Sequence, residues 1–301
     1  GNNVPAPILE GCIDRMRALM KENKYMEASI LMYHQLNALG YRAEAANMRT
    51  LGQVVFELEC KGVYSDYNRI LHMDTAEADI TYCVNASRNR RRTFVSRNDD
   101  IIMSSFWFGE PLNIRIYAGF FESAEEGRED YARELDSRNA GYRVLNNCYV
   151  YSSQNDDGTF FGLAIGIVSD GKIEVTEQGI DVEKAQDVTV CIKAFSQEED
   201  KEKAIEKAVG DLLQKSTGYE KMRKLHVKQH KMLYDAADIR VYHGRSYHSN
   251  EQLLMMAREK QCSLELLDKL WHFGRYLFIS GTHEKGDPFP LYGLWCSGYE
   301  R

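Results

Sequence analysis

Long apolar runs are missing from this sequence: nothing approaches the roughly 20 residues that a membrane-spanning helix needs. An excess of basic charge is missing too. With 38 Lys+Arg against 45 Asp+Glu the formal net charge is -7, the wrong sign for a general nucleic-acid binder, whose affinity comes from neutralising phosphates. The seven cysteines (Cys12, Cys60, Cys83, Cys148, Cys191, Cys262 and Cys296) are odd in number and widely spaced. They form no C-x-x-C pair and have no histidine at zinc-finger distance. That gives no support to a disulfide framework, and most of them are expected to be buried free thiols packing as small hydrophobes. No Gly-x-Ser-x-Gly elbow, phosphate-binding glycine loop or Gly-x-Gly-x-x-Gly fingerprint occurs. Acyl transfer, nucleotide hydrolysis and dinucleotide redox chemistry are therefore unsupported, and no cofactor is expected. No signal peptide is visible at the start.

What is present divides by period. Residues 1–52 read as helices, with Ile13, Met16, Leu19 and Met20 on one stripe, Ala28, Leu31, Met32 and Leu36 on a second, and an Ala-rich third segment from Ala43 to Leu51. Methionines at helical spacing are expected to pack inward rather than to form a soft groove for a partner. From Gln53 the period becomes strand-like. Strands are expected at Val54–Leu58, Ala78–Val84, Thr93–Val95, Ile101–Phe108, Leu112–Phe121, Arg143–Tyr151, Thr159–Val168, Lys172–Thr176 and Val188–Phe195. Asp170-Gly171 and Asp157-Gly158 are hairpin signals. So many short strands imply an antiparallel sandwich. After Phe195 the chain is helical: Glu198–Lys215 has an apolar face, Thr217-Gly218-Tyr219-Glu220 reads as a capping box for a helix to about Ala237, and Asn250 and Ser263 are expected to cap two more.

Several local features compete for function. Arg88, Arg90, Arg91 and Arg92 are the one dense basic cluster in the sandwich region. They could bind phosphate or an anionic glycan, but their place between expected strands favours a solvated turn. Asn85-Ala86-Ser87 fits a glycosylation sequon. Glu122–Asp136 reads as an acidic exposed loop. His226 and His230 have the i, i+4 spacing of a metal pair, yet the zincin glutamate and a third ligand are missing; they read as helix-surface or interface histidines and no metal is expected. Arg275 lies within an apolar helical run, Leu266 to Phe278, and reads as a structural ion-pair donor.

That helix carries the most specific motif. Phe273-Gly274-Arg275-Tyr276-Leu277-Phe278-Ile279-Ser280, then Pro288 and Gly293-Leu294-Trp295, resembles the entry to the catalytic barrel of glycoside hydrolase family 95 and its family 65 relatives. There an aromatic-Gly-Arg-Tyr-Leu-Leu-Ile-Ser helix precedes a Pro-Ala-Asn-Leu-Gln-Gly-Leu-Trp-Asn loop. Pro290, Tyr292 and Cys296 depart from the Asn, Gln and Asn of that loop. The likeness extends upstream. Tyr67 to Asp74 resembles a Tyr-x-Arg-x-Leu segment, Phe94 to Asp100 a Phe-x-Ser-x-x-Asp turn, and Tyr219, Met222 and Lys224-Leu225-His226-Val227 the family's linker helix.

The resemblance implies an α+β fold: an antiparallel β super-sandwich, a helical linker, and the first helices of an (α/α)6-type barrel. The corresponding boundaries are a helical segment at 1–52, the sandwich at 53–197, the linker at 198–243 and the barrel start at 244–301. It implies an inverting α-L-fucosidase- or α-L-galactosidase-like hydrolase of plant or host glycans, periplasmic or extracellular and free of cofactors. The implied partners are an oligosaccharide or glycan and the missing catalytic barrel of the same protein, with no nucleic acid and no membrane span. In the family the catalytic Glu, and the Asn pair and Asp that handle the water, lie in the barrel beyond Gly-Leu-Trp. No catalytic residue is therefore assigned, and the 301-residue chain is expected to be inactive alone. Tyr292 and Trp295 are the candidate substrate-binding residues, an aromatic face stacking on a sugar; equally, Trp295 could plug the sandwich–barrel interface. The alternative is a stand-alone carbohydrate-binding or structural β-sandwich.

Overall fold

The computed structural model describes residues 7, 9, 11–41, 51–119, 140–154, 159–197, 200–215, 218–245, 248–259 and 261–283. The chain separates into two units, 1–49 and 50–300. In the first, α1 (Cys12–Lys21) and α2 (Tyr25–Ala38) form a short pair that buries only Cys12 and Ala28 among the described residues. Of the methionines expected to pack inward, Met16 is half-buried but Met20 and Met32 are exposed, which corrects the expectation for those two. Two short helices offer each other one narrow seam, and α2 has apolar residues on every side of its axis. The segment from Ala43 to Arg49 lies outside the described residues.

The second unit is built on ten antiparallel strands: β1 (Gln53–Leu58), β2 (Tyr64–His72), β3 (Glu77–Val84), β4 (Ser87–Ser96), β5 (Ile101–Gly119), β6 (Gly141–Leu145), β7 (Cys148–Gln154), β8 (Phe160–Ser169), β9 (Lys172–Thr176) and β10 (Gly179–Gln197). The main order is β2-β3-β4-β5-β10-β8-β7-β6, with β1 pairing β5 and β9 pairing β10. β5 and β10 are long enough to serve two layers. The first half of β5 and the second half of β10 lie in the eight-stranded layer. Their other halves pair with each other and carry β1 and β9.

Both long strands bend where one layer passes into the other. Ala185 pairs with Leu112 but Asp187 pairs with Trp107, so β5 loops out Phe108 to Pro111 while β10 is irregular around Ala185 and Lys184 has a positive φ. Gly109 stands at this bend because a Cβ there would come within 2.5 Å of Ser87 Oγ and 2.7 Å of Arg88 O. The Gly-Glu-Pro interruption that divides the sequence pattern into two strands is thus a fold line within one.

Side-chain alternation fills both faces of the eight-stranded layer. Phe106, Tyr149, Tyr151, Leu163, Ile165, Val190 and Ile192 meet Ile114, Ile116, Ile180 and Val182 of the four-stranded layer to form the sandwich core. The opposite face presents Phe94, Met103, Cys148, Val150, Ala164 and Cys191 to helices. Burial there pushes the Cys191 thiol up to about 12, so it packs as an unreactive hydrophobe. Among the described residues Cys12, Cys148 and Cys191 are buried, whereas Cys60 and Cys83 are half-buried and Cys262 is exposed.

Helices follow: α3 (Lys201–Lys215), α4 (Tyr219–Tyr234), α5 (Asn250–Arg258) and α6 (Leu264–Ser280). The fold is α+β, a large antiparallel sheet followed by helices, and no described helix is long and apolar enough to cross a membrane. α3 lays Ile205, Ala208, Val209 and Leu212 on the sheet, a stripe at 3.6-residue spacing. Ser263 caps α6 as expected, its Oγ accepting from Leu266 N. The preceding helix is capped one residue earlier than expected: Ser249, not Asn250, forms a reciprocal capping box with Gln252. For α4 the N-cap position is Gly218, with no side-chain cap bond; Thr217 of the expected capping box lies outside the described residues.

Four other local expectations change. β2 forms although its sequence lacks a strand pattern. Arg143–Tyr151 is a hairpin, because Asn146 and Asn147 both adopt the positive φ of a type I′ turn. Asp170-Gly171 is no hairpin: β8 and β9 both run along β10, and Asp170 Oδ1 accepts from Gln186 N and Asp187 N to fasten the step between them. The arginine cluster is in β4, the preceding turn being made by Asn85 and Ala86 at positive φ. Asp157-Gly158 and Glu122–Asp136 lie outside the described residues.

Replacing Leu212 with alanine should lower stability by about 2–5 kcal/mol through the cavity left under α3. The neighbouring, half-exposed Leu213→Ala should change it by less than about 1 kcal/mol. Urea denaturation of the two variants checks the assigned face.

Candidate functional site

Pro288, Tyr292, Trp295 and Cys296 lie outside the described residues. The structure describes the junction of the sheet with α4 and α6, the helix that precedes them in sequence. Its first part is a ladder of charge across adjacent strands. Asp79 on β3 receives a two-pronged contact from Arg90 and a second contact from Arg92. Glu77, 3% exposed, receives Arg223 of α4 through both guanidinium arms, with Arg92 3.8 Å away. The basic cluster is therefore neither a solvated turn nor a free anion site. Arg90 and Arg92 neutralise carboxylates on the neighbouring strand, and Arg91 on the opposite face lies over Phe56 and Phe106.

The second part is a row of rings along α4. Phe94, His226, His230, Tyr234 and His272 follow one another with centroids 5.0–6.1 Å apart. His230 Nε2 donates to Met73 O at 2.9 Å and His226 Nε2 to Ala76 O at 3.4 Å, tying α4 to the β2–β3 turn. With Nε2 protonated, His226 Nδ1 is a buried acceptor without a hydrogen bond. The i, i+4 pair thus serves as an interface, as its sequence setting suggests.

The third part is a pair of guanidinium caps. Arg275 Nε and Nη2 donate to Tyr234 O, and Nη2 also to Leu233 O at 2.6 Å, closing the C-terminus of α4 while the cation lies over Tyr234 and Trp271. It is structural, as expected, but its partners are carbonyls rather than a carboxylate. Arg97 does the same for α6, donating to Ile279 O at 2.7 Å and Thr282 O at 2.6 Å. Arg97 belongs to the β4–β5 turn, which is itself braced. Ser96 Oγ donates to Asp99, Lys215 of α3 pairs with Asp99 at 3.0 Å, and Lys193 donates to the Asp99 and Asp100 carbonyls. The Phe-x-Ser-x-x-Asp pattern has its physical meaning here.

Chemically this is a scaffold. Burial raises the carboxyl pKa of Glu77, but Arg223 and Arg92 outweigh it; Arg90 holds Asp79 low; Lys215 and Ser96 outweigh the burial of Asp99. All three stay ionised, the reverse of what a general acid needs. Asn85 is engaged as well. Its Nδ2, the atom a glycan would modify, donates to Lys61 O while its Oδ1 accepts from Val63 N.

Comparison with known families bears on this arrangement. The model described as glycosyl hydrolase family 65, N-terminal domain, matches residues 3–201, more than half of the chain. The chain belongs to that N-terminal-domain family. Beyond the family 65 domain, the model of the glycosyl hydrolase family 95 catalytic domain matches residues 218–301, from just before α4 onward. Among solved structures the chain is similar to "Putative kojibiose phosphorylase from human microbiome", at 11% identity and TM-score 0.45 over 62% of this chain and 28% of that one. It is also similar to a bacterial glucoamylase complexed with acarbose, at 9% identity and TM-score 0.33 over 56% of this chain and 28% of that one. The chain thus spans under a third of the length of either. No curated protein matches the sequence.

Two measurements test the junction. Arg223→Ala leaves Glu77 buried with Arg92 alone and should cost about 3 kcal/mol, read by chemical denaturation. Burial holds both His226 and His230 below the ordinary 6.5, against the pull of their carbonyl bonds. The unfolded chain therefore takes up protons first, so stability is highest above about pH 6.5 and falls as pH drops through that value toward the folded pKa values. His226→Phe, which keeps the ring row but cannot titrate, should show a shallower loss of Tm between about pH 7 and pH 5.

Proposed function

We propose that this chain is the N-terminal, non-catalytic part of a glycoside hydrolase, α-L-fucosidase- or α-L-galactosidase-like, that acts by inversion on plant or host glycans outside the cytoplasm. The observation that carries the reading is the succession of the two family matches. A family 65 N-terminal domain over residues 3–201 is followed by the start of a family 95 catalytic domain over residues 218–301. The sugar class, the inverting outcome and the periplasmic or extracellular setting rest on the resemblance of Phe273–Ser280 and Gly293–Trp295 to family 95. Inversion needs an acid and a base-activated water on opposite sides of the sugar, about 6.5–9.5 Å apart. In this reading those groups belong to the remainder of the barrel, and Tyr292 and Trp295 contribute an aromatic surface to the sugar.

The geometry supports a mounting role. α6 presents Leu267, Leu270, Phe273 and Phe278 to solvent, each 43–57% exposed, although its other face is packed and its end is fixed by Arg97. Such a contiguous apolar stripe on a well-anchored helix is a docking face, and in this reading the neighbouring helices of the barrel cover it. The sandwich sets the position of the first barrel helix and performs no chemistry itself.

The test is hydrolysis of aryl α-L-fucoside and α-L-galactoside by this chain and by one extended through the reading frame that follows Arg301. Release of sugar by the longer protein alone is the expected result. Turnover by the 301-residue chain, or by neither protein, would overturn the proposal.

A further inference from the structure

The eight-stranded layer leaves part of its helix-side face bare. Ile101 and Met103 point beneath the helices, and two-residue alternation sends Trp107 to the same side further along β5. Phe106 and Phe108 point the other way, into the sandwich core. Trp107 is 45% exposed, and its indole makes no hydrogen bond or ring contact with another described residue. Strand register places Arg90 of β4 on one side of it and Asp187 of β10 on the other, with Ser105 and Thr189 in the next row. Arg90 is held in place by Asp79, whereas the exposed Asp187 carboxylate has no partner among the described residues.

We propose that this face, centred on Trp107, binds a neutral oligosaccharide with one sugar ring stacked on the indole. A pyranose has an apolar face of C–H groups and a rim of hydroxyls. The C–H face suits the negative face of an indole. The rim suits a fixed donor on one side, the Arg90 Nη1 that Asp79 leaves unengaged, and a free acceptor on the other, the Asp187 carboxylate. Adjacent strands are about 4.8 Å apart, so these groups lie beside the indole within hydrogen-bonding reach of the hydroxyl rim of a ring stacked on it. Asp79 already meets the charge of Arg90, and the Asp187 carboxylate disfavours an anionic ligand, so a neutral glycan suits the face. A surface built to bury another protein would carry more apolar area than a single ring amid hydroxyls and charges. The proposal rests on the glycoside hydrolase reading for the class of ligand only, since a glycan is what such a protein meets.

Calorimetric titration of the 301-residue chain with 2′-fucosyllactose, cellotriose and maltotriose tests it. At least one probe should bind, Trp107→Ala should weaken that probe about tenfold or more, and Trp107→Tyr should retain most of the affinity. Asp187→Asn, which removes the charge but keeps an acceptor, should fall between them. Circular dichroism and thermal melting of each variant separate loss of binding from loss of fold. The proposal fails if no probe binds the parent chain, if Trp107→Ala binds as tightly as the parent, or if that substitution instead abolishes self-association measured by light scattering. Because binding is read without turnover, hydrolysis by the extended protein together with unchanged binding in Trp107→Ala would sink this inference alone. Loss of binding in Trp107→Ala without hydrolysis by the extended protein would sustain it and count against the enzyme reading.

Discussion

Four residues, Arg97 to Asp100, tie α3 and α6 to the sheet. They join β4 to β5 at the edge of the helix-side core, and each of the packed layers grips them: α3 through Lys215, β10 through Lys193, and α6 through the Arg97 guanidinium. The turn can bear this because Ser96 and Asp99 close it internally. An arginine on a loose loop would lose too much side-chain entropy on docking to hold a helix end; on a braced turn most of that cost has already been met.

The remaining junction contacts differ in how they respond to solvent. Glu77 and Asp79 are buried charges, and such groups stabilise a fold only when they are well paired and hydrogen-bonded; five guanidinium hydrogen bonds from Arg90, Arg92 and Arg223 engage all four carboxylate oxygens. They specify one docking angle for α4, since a slip of one turn would strand a carboxylate. The imidazoles of His226 and His230 add shape and hydrogen bonds without charge. Positioning is thus shared between groups that hold at every physiological pH and groups that weaken in acid.

How much of this is legible in the sequence depends on whether the signal is local. The bounds of β9 and the Ser263 cap follow from residues that act on their immediate neighbours and are found where expected; the apolar face of α3 is found too, except that Leu213, in line with it by sequence, is half exposed. β2 is missed because it is an edge strand exposed on both faces through most of its length, so it has no reason to alternate. The arginines of β4 read as a turn because the carboxylates that hold them sit on another strand, and only the pairing of Asp79 with Arg92 makes the cluster intelligible. Asp170-Gly171 has hairpin chemistry, but the competing partner, β10, is close in space and not in sequence. At the candidate site, Arg275 was legible as a structural cation and its carbonyl partners were not. Trp107 gave no signal: between Phe106 and Phe108 it reads as part of a buried run, and its outward side emerges only once the sheet is covered on one part of its face and bare on the other.

The Arg97 cap has a consequence for how the molecule is made. Arg97 and the carbonyls it holds are 182 and 185 positions apart, so during synthesis the turn leaves the ribosome long before α6 exists. Domains assemble N-terminal part first at about 5–20 residues per second. The sheet therefore has on the order of ten seconds to order its socket before α6 arrives. When α6 emerges, its end meets a donor already aimed, and the loop-closure cost of so distant a contact, which grows only slowly with length, is paid against a preformed surface. Nascent-chain order thus favours a sandwich that templates its helices, and refolding from denaturant, where all segments start together, lacks that head start.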